Sequence, residues 1–600
     1  MISTKAKVEK LLKDSYKHPV VVVFSGVANI GKNSYLVFLN GRVLIIDFGV
    51  GFPDIDAYNI NVILPDLDFI ELIKDKIDGV VLTHAHLDHV GGIEYLVNLL
   101  EGNVKIFGSR FTIEFVNNKL RRSKYKKNVM TKVVTSGSSV KTGQFKLHFA
   151  HVTHSILHSM MVAVDTEYGK IVYTGDYKFD DTPINERPTD THIIRKWADS
   201  GILVSLLDST NAFETGHSKS ETTIMGVLEE IIQKSEGRTI IGMFSSLVSR
   251  MIGIIEIAKR LNKKVAFTGR SMEENIKIAR KIGYLVADRD VIIPLNDIDK
   301  YDRKQVVILA TGSQGEHMAA LTRMARGKHE KVKLTSTDTV ILSASVIPTN
   351  VVTVQGLMDL LSFTGVKIIN SELMDVHVSG HAYQEEMIEM AKLLQSKYYI
   401  PVHGYPSYLF QHKRLLIENN IPANKIFVPS LGGVFVFPQG KLEVRKKVNV
   451  NDKYVINNKL VSANDTLIED RITMAKNGVC TVCITQNQRV FVTCRAVVLR
   501  EYTEALTKDI TKLVSELISS FKKQKVSLKD KKFTSTLYTA ISRHIKEKYG
   551  ATPVVVVNNK SKKFYKTNRT NRSKNKEQKT DVKHSQSHTM TFKKLFRKSK

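Results

Sequence analysis

The chain has 600 residues, 42% of them apolar and 25% charged. These values exclude a wholly disordered or collagen-like protein, and at roughly 100–200 residues per domain the length calls for about three to four domains. Lys and Arg number 89 against 59 Asp and Glu, a net charge of +30. Such a surplus suits a polyanionic partner, either nucleic acid or an acidic membrane surface, although an AT-rich coding sequence that writes lysine freely produces the same excess.

The start, Met1–Lys17, reads as an N-terminal extension. Lys5, Lys7, Lys10, Lys13 and Lys17 punctuate it and no apolar core follows, so it is not a secretory signal. From residue 18 short apolar runs alternate with turn residues: Val20–Phe24, Ser34–Leu39, Val43–Asp47, Gly79–Leu82, Phe145–His148, Lys170–Tyr173 and Ile202–Leu207. They are predicted as β-strands, with helix Ile93–Leu100 among them. Near residue 221 the rhythm changes. Helices Glu221–Gln233, Arg250–Leu261 and Met272–Ile282 alternate with strands Thr239–Met243, Lys264–Phe267, Val306–Ala310 and Thr339–Ser343, the order of a parallel sheet with crossover helices.

After residue 365 strands Tyr399–Val402 and Gly433–Phe437 are predicted. A further domain, 446–557, carries strands at Val479–Ile484, Val490–Thr493 and Val554–Val557 and long helices at Arg500–Lys523 and Thr534–Tyr549. The expected boundaries are therefore 1–17, 18–220, 221–365, 366–445, 446–557 and 558–600. The last segment has 15 basic residues against Glu577 and Asp581, carries +13 of the +30 and is poor in apolar residues, so it is expected to be a disordered basic tail.

Three cysteines, Cys480, Cys483 and Cys494, are too few for a disulfide framework and point to a reducing, cytoplasmic compartment. Cys480 and Cys483 fall on one predicted strand, where their spacing puts them on opposite faces, so they read as packing residues and not zinc ligands. No run approaches the ~18 apolar residues of a spanning helix, which leaves peripheral membrane contact at most.

One stretch carries chemistry. Strand Gly79–Leu82 ends in Thr83-His84-Ala85-His86-Leu87-Asp88-His89. Side chains alternate in extended backbone, so His84 and His86 point the same way, and Asp88 and His89 fall on the turn that follows. Two spaced histidines plus an Asp-His pair is a donor set for two adjacent first-row metal ions. His154, Asp176 and His403 each end another apolar run and supply the donors such a centre still lacks.

The order His84-x-His86-x-Asp88-His89, then His154, Asp176 and a distant His403, resembles the metallo-β-lactamase superfamily. That resemblance implies an αββα sandwich in which Asp176 bridges two zinc ions. His84, His86 and His154 would hold one ion, and Asp88, His89 and His403 the other. The 227 residues between Asp176 and His403 leave room for a whole inserted domain. The nucleic-acid-processing β-CASP branch has such an insert, and its signature acid and histidines resemble Asp208, His381 and His403. Over most of residues 20–557 the chain is similar to the ribonuclease J family. The nearly diagnostic stretches are Thr311-Gly312-Ser313-Gln314-Gly315-Glu316 and Val376-His377-Val378-Ser379-Gly380-His381-Ala382.

The resemblance implies an α/β protein: a sandwich with an inserted α/β β-CASP domain and a small α+β C-terminal domain. It implies a 5′→3′ exoribonuclease that also cuts internally, acts in RNA maturation and mRNA decay, and uses two Zn²⁺ per chain, with Mn²⁺ or Mg²⁺ as the alternatives. Asp88, Asp176 and His381 would be catalytic. Asp47 and Asp208 would orient ligand histidines, and Ser246, Ser379, Gly380 and His381 would receive the 5′-phosphate.

The partners implied are RNA and further copies of the chain, as a homodimer or homotetramer, or a paralogue in a hetero-oligomer; stable membrane insertion is not expected. Departures from the family pattern gather near the phosphate pocket: Leu247 replaces an amide, His317 and Val346 replace prolines, and Tyr405 stands where Glu is common. The alternatives are a DNA-directed nuclease of the same branch and a weakly active paralogue that binds RNA as a scaffold. His151, His158 and His377 lie near the ligands in sequence and are assigned no role.

Overall fold

The computed structural model describes residues 4–53, 59–285, 290–347, 350–462, 466–485, 487–524, 527–528 and 530–559. It divides into two compact units, Met1–Ile468 and Glu469–Lys600. All of the expected basic tail beyond Asn559 lies outside the described residues; Asn558 and Asn559 themselves close strand Val554–Asn559.

The first unit is built on two large sheets. One has eight strands in the order Glu443–Arg445, Gly433–Val436, Val20–Ser25, Ser34–Leu39, Arg42–Ile46, Ile77–Val81, Lys105–Gly108, Met130–Val133. The other has six, in the order Tyr398–Val402, Ile202–Asp208, Gly169–Tyr173, Met160–Thr166, Phe145–His151, Ser139–Thr142. Strand Val20–Ser25 shows why they stack. All six residues are buried: Val20, Val22 and Phe24 enter the core under the helices, while Val21 and Val23 enter the core between the sheets. Strict alternation with both faces apolar requires a layer on each side. Helices Thr4–Ser15, Leu67–Ile73, Ile93–Leu99 and Arg110–Lys119 cover the first sheet, and Thr191–Asp199, Gln384–Leu394 and Pro406–Glu418 cover the second. This is the expected αββα sandwich, and it takes in the N-terminal extension, whose Val8 and Leu11 are buried in the first core.

Between the strands Ile202–Asp208 and Tyr398–Val402, which pair in parallel, the chain leaves to form the inserted domain. Its five-stranded sheet, Lys264–Thr268, Val306–Ala310, Thr239–Gly242, Thr339–Leu342, Lys367–Ile369, is parallel throughout, with an apolar core on each face. The fifth strand lies past the expected boundary at 365, because Lys367–Ile369 continues the hydrogen bonding of Thr339–Leu342. A second correction concerns 446–468. This segment was expected to open the C-terminal domain, but strand Lys453–Ile456 pairs with Val62–Leu64 and the Lys32 ammonium meets Asp452 at 2.5 Å, so it belongs to the first unit.

The second unit has three strands, Val490–Arg495, Val479–Ile484 and Val554–Asn559, with helices Thr503–Lys523 and Lys531–Tyr549 packed on one face. Cys480 and Cys494 pair across it, both buried, while Cys483 takes the opposite face, as the strand spacing predicts. Among the described residues no helix is long and apolar enough to cross a membrane.

The inserted sheet depends on one buried charge. Asp338, fully buried at the head of strand Thr339–Leu342, accepts from the Arg238 N–H at 3.0 Å and pairs with the guanidinium groups of Arg238 and Arg303. Asp338→Ala leaves a buried cation uncompensated and is expected to cost about 3–5 kcal/mol, read as a lower urea midpoint for the inserted domain.

Candidate metal centre

The ligand candidates converge because strand ends converge. His84 follows strand Ile77–Val81 of one sheet. His154, Asp176, Asp208 and His403 sit at strand ends of the other. Strand Ile77–Val81 enters a tight turn that Gly49 makes room for: a Cβ there would lie 1.6 Å from the Asp88 carbonyl oxygen. Only glycine lets residues 47–50 press against 87–92 and present Asp88 and His89 inward.

Three donor groups share the Asp176 carboxylate, the third made with Asp208, His381 and His403. In the first, His86 Nδ1 lies 3.1 Å from His84 Nε2 and 3.0 Å from His154 Nε2, with Asp176 Oδ2 at 3.5 and 3.7 Å from the latter two nitrogens. In the second, His89 Nε2 is 3.5 Å from Asp88 Oδ2 and 3.2 Å from Asp176 Oδ2. His403 lies 3.3 Å from Asp88 and 2.9 Å from Asp176 Oδ1. The donor atoms of each group fall within 4.8 Å of one another. A proton serves one pair of nitrogens, not three converging ones, whereas a cation is bound by all of them. Asp176 Oδ1 and His403 Nε2 are buried and make no hydrogen bond of good geometry, as atoms reserved for a cation would be. The residues present therefore fit a bound metal ion.

The electrostatics of the first two groups differ. Burial drives His84 and His154 well below the ordinary imidazole value and His86 down to about 4, which keeps their lone pairs free. Burial also opposes charge on His89 and His403, but Asp176 and its neighbours outweigh it; His89 rises to about 10 and His403 well above its usual range. Asp88 and Asp176 are held below the carboxylate range: burial works against this, yet the charges of His89 and His403 prevail. The carboxylates thus hold negative charge ready for a cation.

The flanking acids are placed as orienting groups. Asp47 is fully buried with φ +58°; it accepts from the Thr83 N–H and hydroxyl, both at 2.8 Å, and holds His89 Nδ1 at 2.7 Å. Asp208 accepts from Thr210 and holds His381 Nδ1 at 2.8 Å. It also lies 3.4 Å from His403 Nδ1, so it binds two histidines and caps no helix.

Four phosphate-pocket candidates divide. His381, Ser379 and Gly380 share the loop before helix Gln384–Leu394. Ser379 Oγ accepts from the His381 N–H at 3.1 Å, and the Gly380 carbonyl accepts from His154 Nδ1 at 2.6 Å. A side chain on Gly380 would meet Ser155 at 2.7 Å, so the loop lies tight against the segment that carries His154. Ser246, before helix Val248–Arg260, makes no hydrogen bond through its hydroxyl to any described residue, Ser379 and His381 included.

Several residues at the centre escaped sequence reasoning. Asn33 Nδ2 lies 3.0 Å from His89 Nε2, and its Oδ1 accepts from the Tyr35 hydroxyl. Asn211 donates to Ser379 Oγ and to the His381 carbonyl. Glu386, fully buried, accepts from the N–H groups of Phe179, Ser218 and Tyr383 and so ties the loop after Asp176 to the loop of His381. Arg250 joins Glu221, the Ser343 hydroxyl and His377 Nδ1. The local signal was a polar residue flanking an apolar strand, Asn33 just before Ser34–Leu39 and Asn211 just after Ile202–Asp208; nothing local marks Glu386.

Comparisons with known proteins divide the chain in the same places. The model of the metallo-beta-lactamase superfamily matches residues 29–217, and that of the ribonuclease J beta-CASP domain matches 236–361. The zinc-dependent metallo-hydrolase RNA specificity domain matches 368–429 and the ribonuclease J C-terminal domain 466–559. Ribonuclease J of Helicobacter pylori strain 26695 is 32% identical over 472 residues, 78% of this chain and 68% of that protein. Ribonuclease J of Mycobacterium tuberculosis is 37% identical over 436 residues, covering 72% and 77% of the two chains. Ribonuclease J2 of Bacillus subtilis is 31% identical over 507 residues, covering 83% and 91%.

If Asp47 orients His89 for metal, Asp47→Ala should weaken metal binding about 10–100-fold with the fold intact, measured by competition against a chromogenic chelator.

Proposed function

Given that the chain belongs to the ribonuclease J family and is a metal-dependent ribonuclease, we propose that it hydrolyses RNA with two zinc ions, both as a 5′→3′ exonuclease that prefers 5′-monophosphate ends and as an endonuclease. The observation that carries the two-ion reading is the pair of donor groups joined at Asp176. His84, His86, His154 and Asp176 would hold one ion; Asp88, His89, His403 and Asp176 the other. Sets rich in imidazole with a carboxylate suit zinc better than magnesium, which favours oxygen donors. When bound, the ions supply Lewis acidity to the scissile phosphate and a more acidic water.

The chain's own groups do the rest. Asp88 borders both His89 and His403 and is the half-exposed acid of the cluster, placed to accept a proton from the attacking water. Asp208 fixes the His381 ring through Nδ1, which leaves Nε2 on the Asp176 side, 3.9 Å from that carboxylate. His381 Nε2 contacts the phosphate there and gives a proton to the departing ribose 3′-oxygen, so the released product keeps its 5′-phosphate. Ser379 and the Gly380 N–H lie beside it as donors to a terminal phosphate, and Ser246 offers an uncommitted hydroxyl. Leu247 removes one donor from that pocket and should narrow, not abolish, the preference for monophosphate.

In the second unit, Phe491 and Val556 are exposed on the sheet face opposite the helices, next to Cys483. That apolar face supports self-association into a homodimer or homotetramer. The basic segment beyond Asn559 supplies sequence-blind RNA affinity. RNA maturation and mRNA decay in the cytoplasm are the roles that suit this activity.

The deciding experiment incubates end-labelled 5′-monophosphorylated RNA with wild type and with His86→Ala, with and without chelator. Mononucleotide release should stop in the variant and with chelator; release that persists in His86→Ala overturns the metal reading, and equal turnover of labelled DNA overturns the RNA preference. Monophosphorylated RNA should be degraded faster than triphosphorylated RNA, and equal rates remove the pocket assignment alone. Truncation after Asn559 should weaken RNA binding and flatten the slope of log affinity against log salt, while turnover at saturating RNA stays within about twofold.

A further inference from the structure

Beside the metal centre the first unit holds a cavity of about 620 Å³ that none of the proposed catalytic groups enters. Its position is set by the sheet. Strand Lys105–Gly108 pairs with Ile77–Val81, and Ser109, which caps the following helix, lines the cavity one strand away from His84. Met160 forms part of the wall; its N–H donates to the Thr83 carbonyl, and its own carbonyl lies against Gly175. Thr83 and Gly175 immediately precede His84 and Asp176. The cavity is thus one or two strand spacings, at ~4.8 Å each, from the donor cluster.

Its chemistry is mixed in a particular way. Tyr284, from the inserted domain, and His158, from the sandwich, meet edge to face with centroids 4.7 Å apart and give an aromatic wall. His158 adopts φ +62°, a left-handed conformation that non-glycine residues take at a cost, and such strain gathers at binding sites. Glu186 holds that conformation, accepting from the His158 N–H at 2.5 Å. His158 Nδ1 is buried and has no hydrogen-bond partner. Arg110 is exposed at the rim and pairs with no carboxylate among the described residues; the acid one turn along its helix, Glu114, is taken by Lys281. Burial pushes Glu186 up to about 8, so at neutral pH its carboxyl keeps a proton and does not repel an anion.

An aromatic wall and an unpaired guanidinium within a cavity of ligand size suit a base attached to a phosphate. Resting on the ribonuclease reading, we propose that this cavity is a nucleotide subsite that takes one nucleoside 5′-phosphate unit, with its base against Tyr284 and His158 and its phosphate toward Arg110. The unit has two sources: a nucleotide of the bound RNA next to the one being cleaved, or the mononucleotide just released.

The test uses the metal-loaded full chain and the variants Tyr284→Ala, Tyr284→Phe and Arg110→Glu. KM is measured on 5′-monophosphorylated RNA, and the dissociation constant of radiolabelled adenosine 5′-monophosphate by equilibrium dialysis. If the subsite serves the RNA chain, KM rises at least about fivefold in Tyr284→Ala and Arg110→Glu and recovers in Tyr284→Phe. If it serves the released product, the dissociation constant rises by that factor and KM does not. Both constants within about twofold of wild type in Tyr284→Ala and Arg110→Glu overturn the proposal. Arg110 is exposed, so its variant reads the site without risk to the core. Should cleavage persist in His86→Ala, the metal reading fails while the dialysis still decides the cavity.

Discussion

Asp176 is the point on which the rest of the site depends. Its carboxylate lies within 4 Å of five imidazoles, those of His84, His89, His154, His381 and His403, while being almost completely buried. No single segment supplies such a neighbourhood. It exists because two sheets stack with their strand ends at one edge, so that residues from loops after strands of both sheets meet at one carboxylate. Burying so many polar groups is costly unless each finds a partner, and a bound cation is a partner that many of them can share.

Around this carboxylate, other buried acids act on the scaffold. Asp47 and Asp208 each grip a histidine by its outer nitrogen, which decides the nitrogen that faces the centre. Glu386 fastens two loops about 200 residues apart in the chain, and Arg250 with His377 anchors the loop of Ser379, Gly380 and His381 to the inserted domain. The insert thereby reaches the chemistry through hydrogen bonds to one loop.

The charge that first suggested a polyanion separates into two kinds. Part of it lies beyond Asn559 as a basic run of low complexity. The rest is spread over a folded body whose basic groups are often paired, as in Arg238 and Arg303 with Asp338 or Lys32 with Asp452. Net charge therefore says little about where RNA lies, whereas an unpaired cation such as Arg110 beside a cavity says more.

The sequence by itself determined the candidate donors, because His84, His86, Asp88 and His89 are local in the chain and the remaining candidates each end an apolar run. It also determined the parallel rhythm of the insert, since a strand buried on both faces is a continuous apolar run. Edge strands escaped it. Glu443–Arg445 is wholly exposed and Met130–Val133 nearly so, so neither carries an apolar pattern to read. Strand Lys453–Ile456 was assigned to the wrong domain because its partner, Val62–Leu64, lies almost 400 residues away. Only the tertiary structure decided which acids meet which histidines, that Glu386 and Asn33 belong to the site, and that Tyr284 faces His158 across a cavity. Those are contacts between segments far apart in the chain, and they are set by packing and by burial, which no local spacing records.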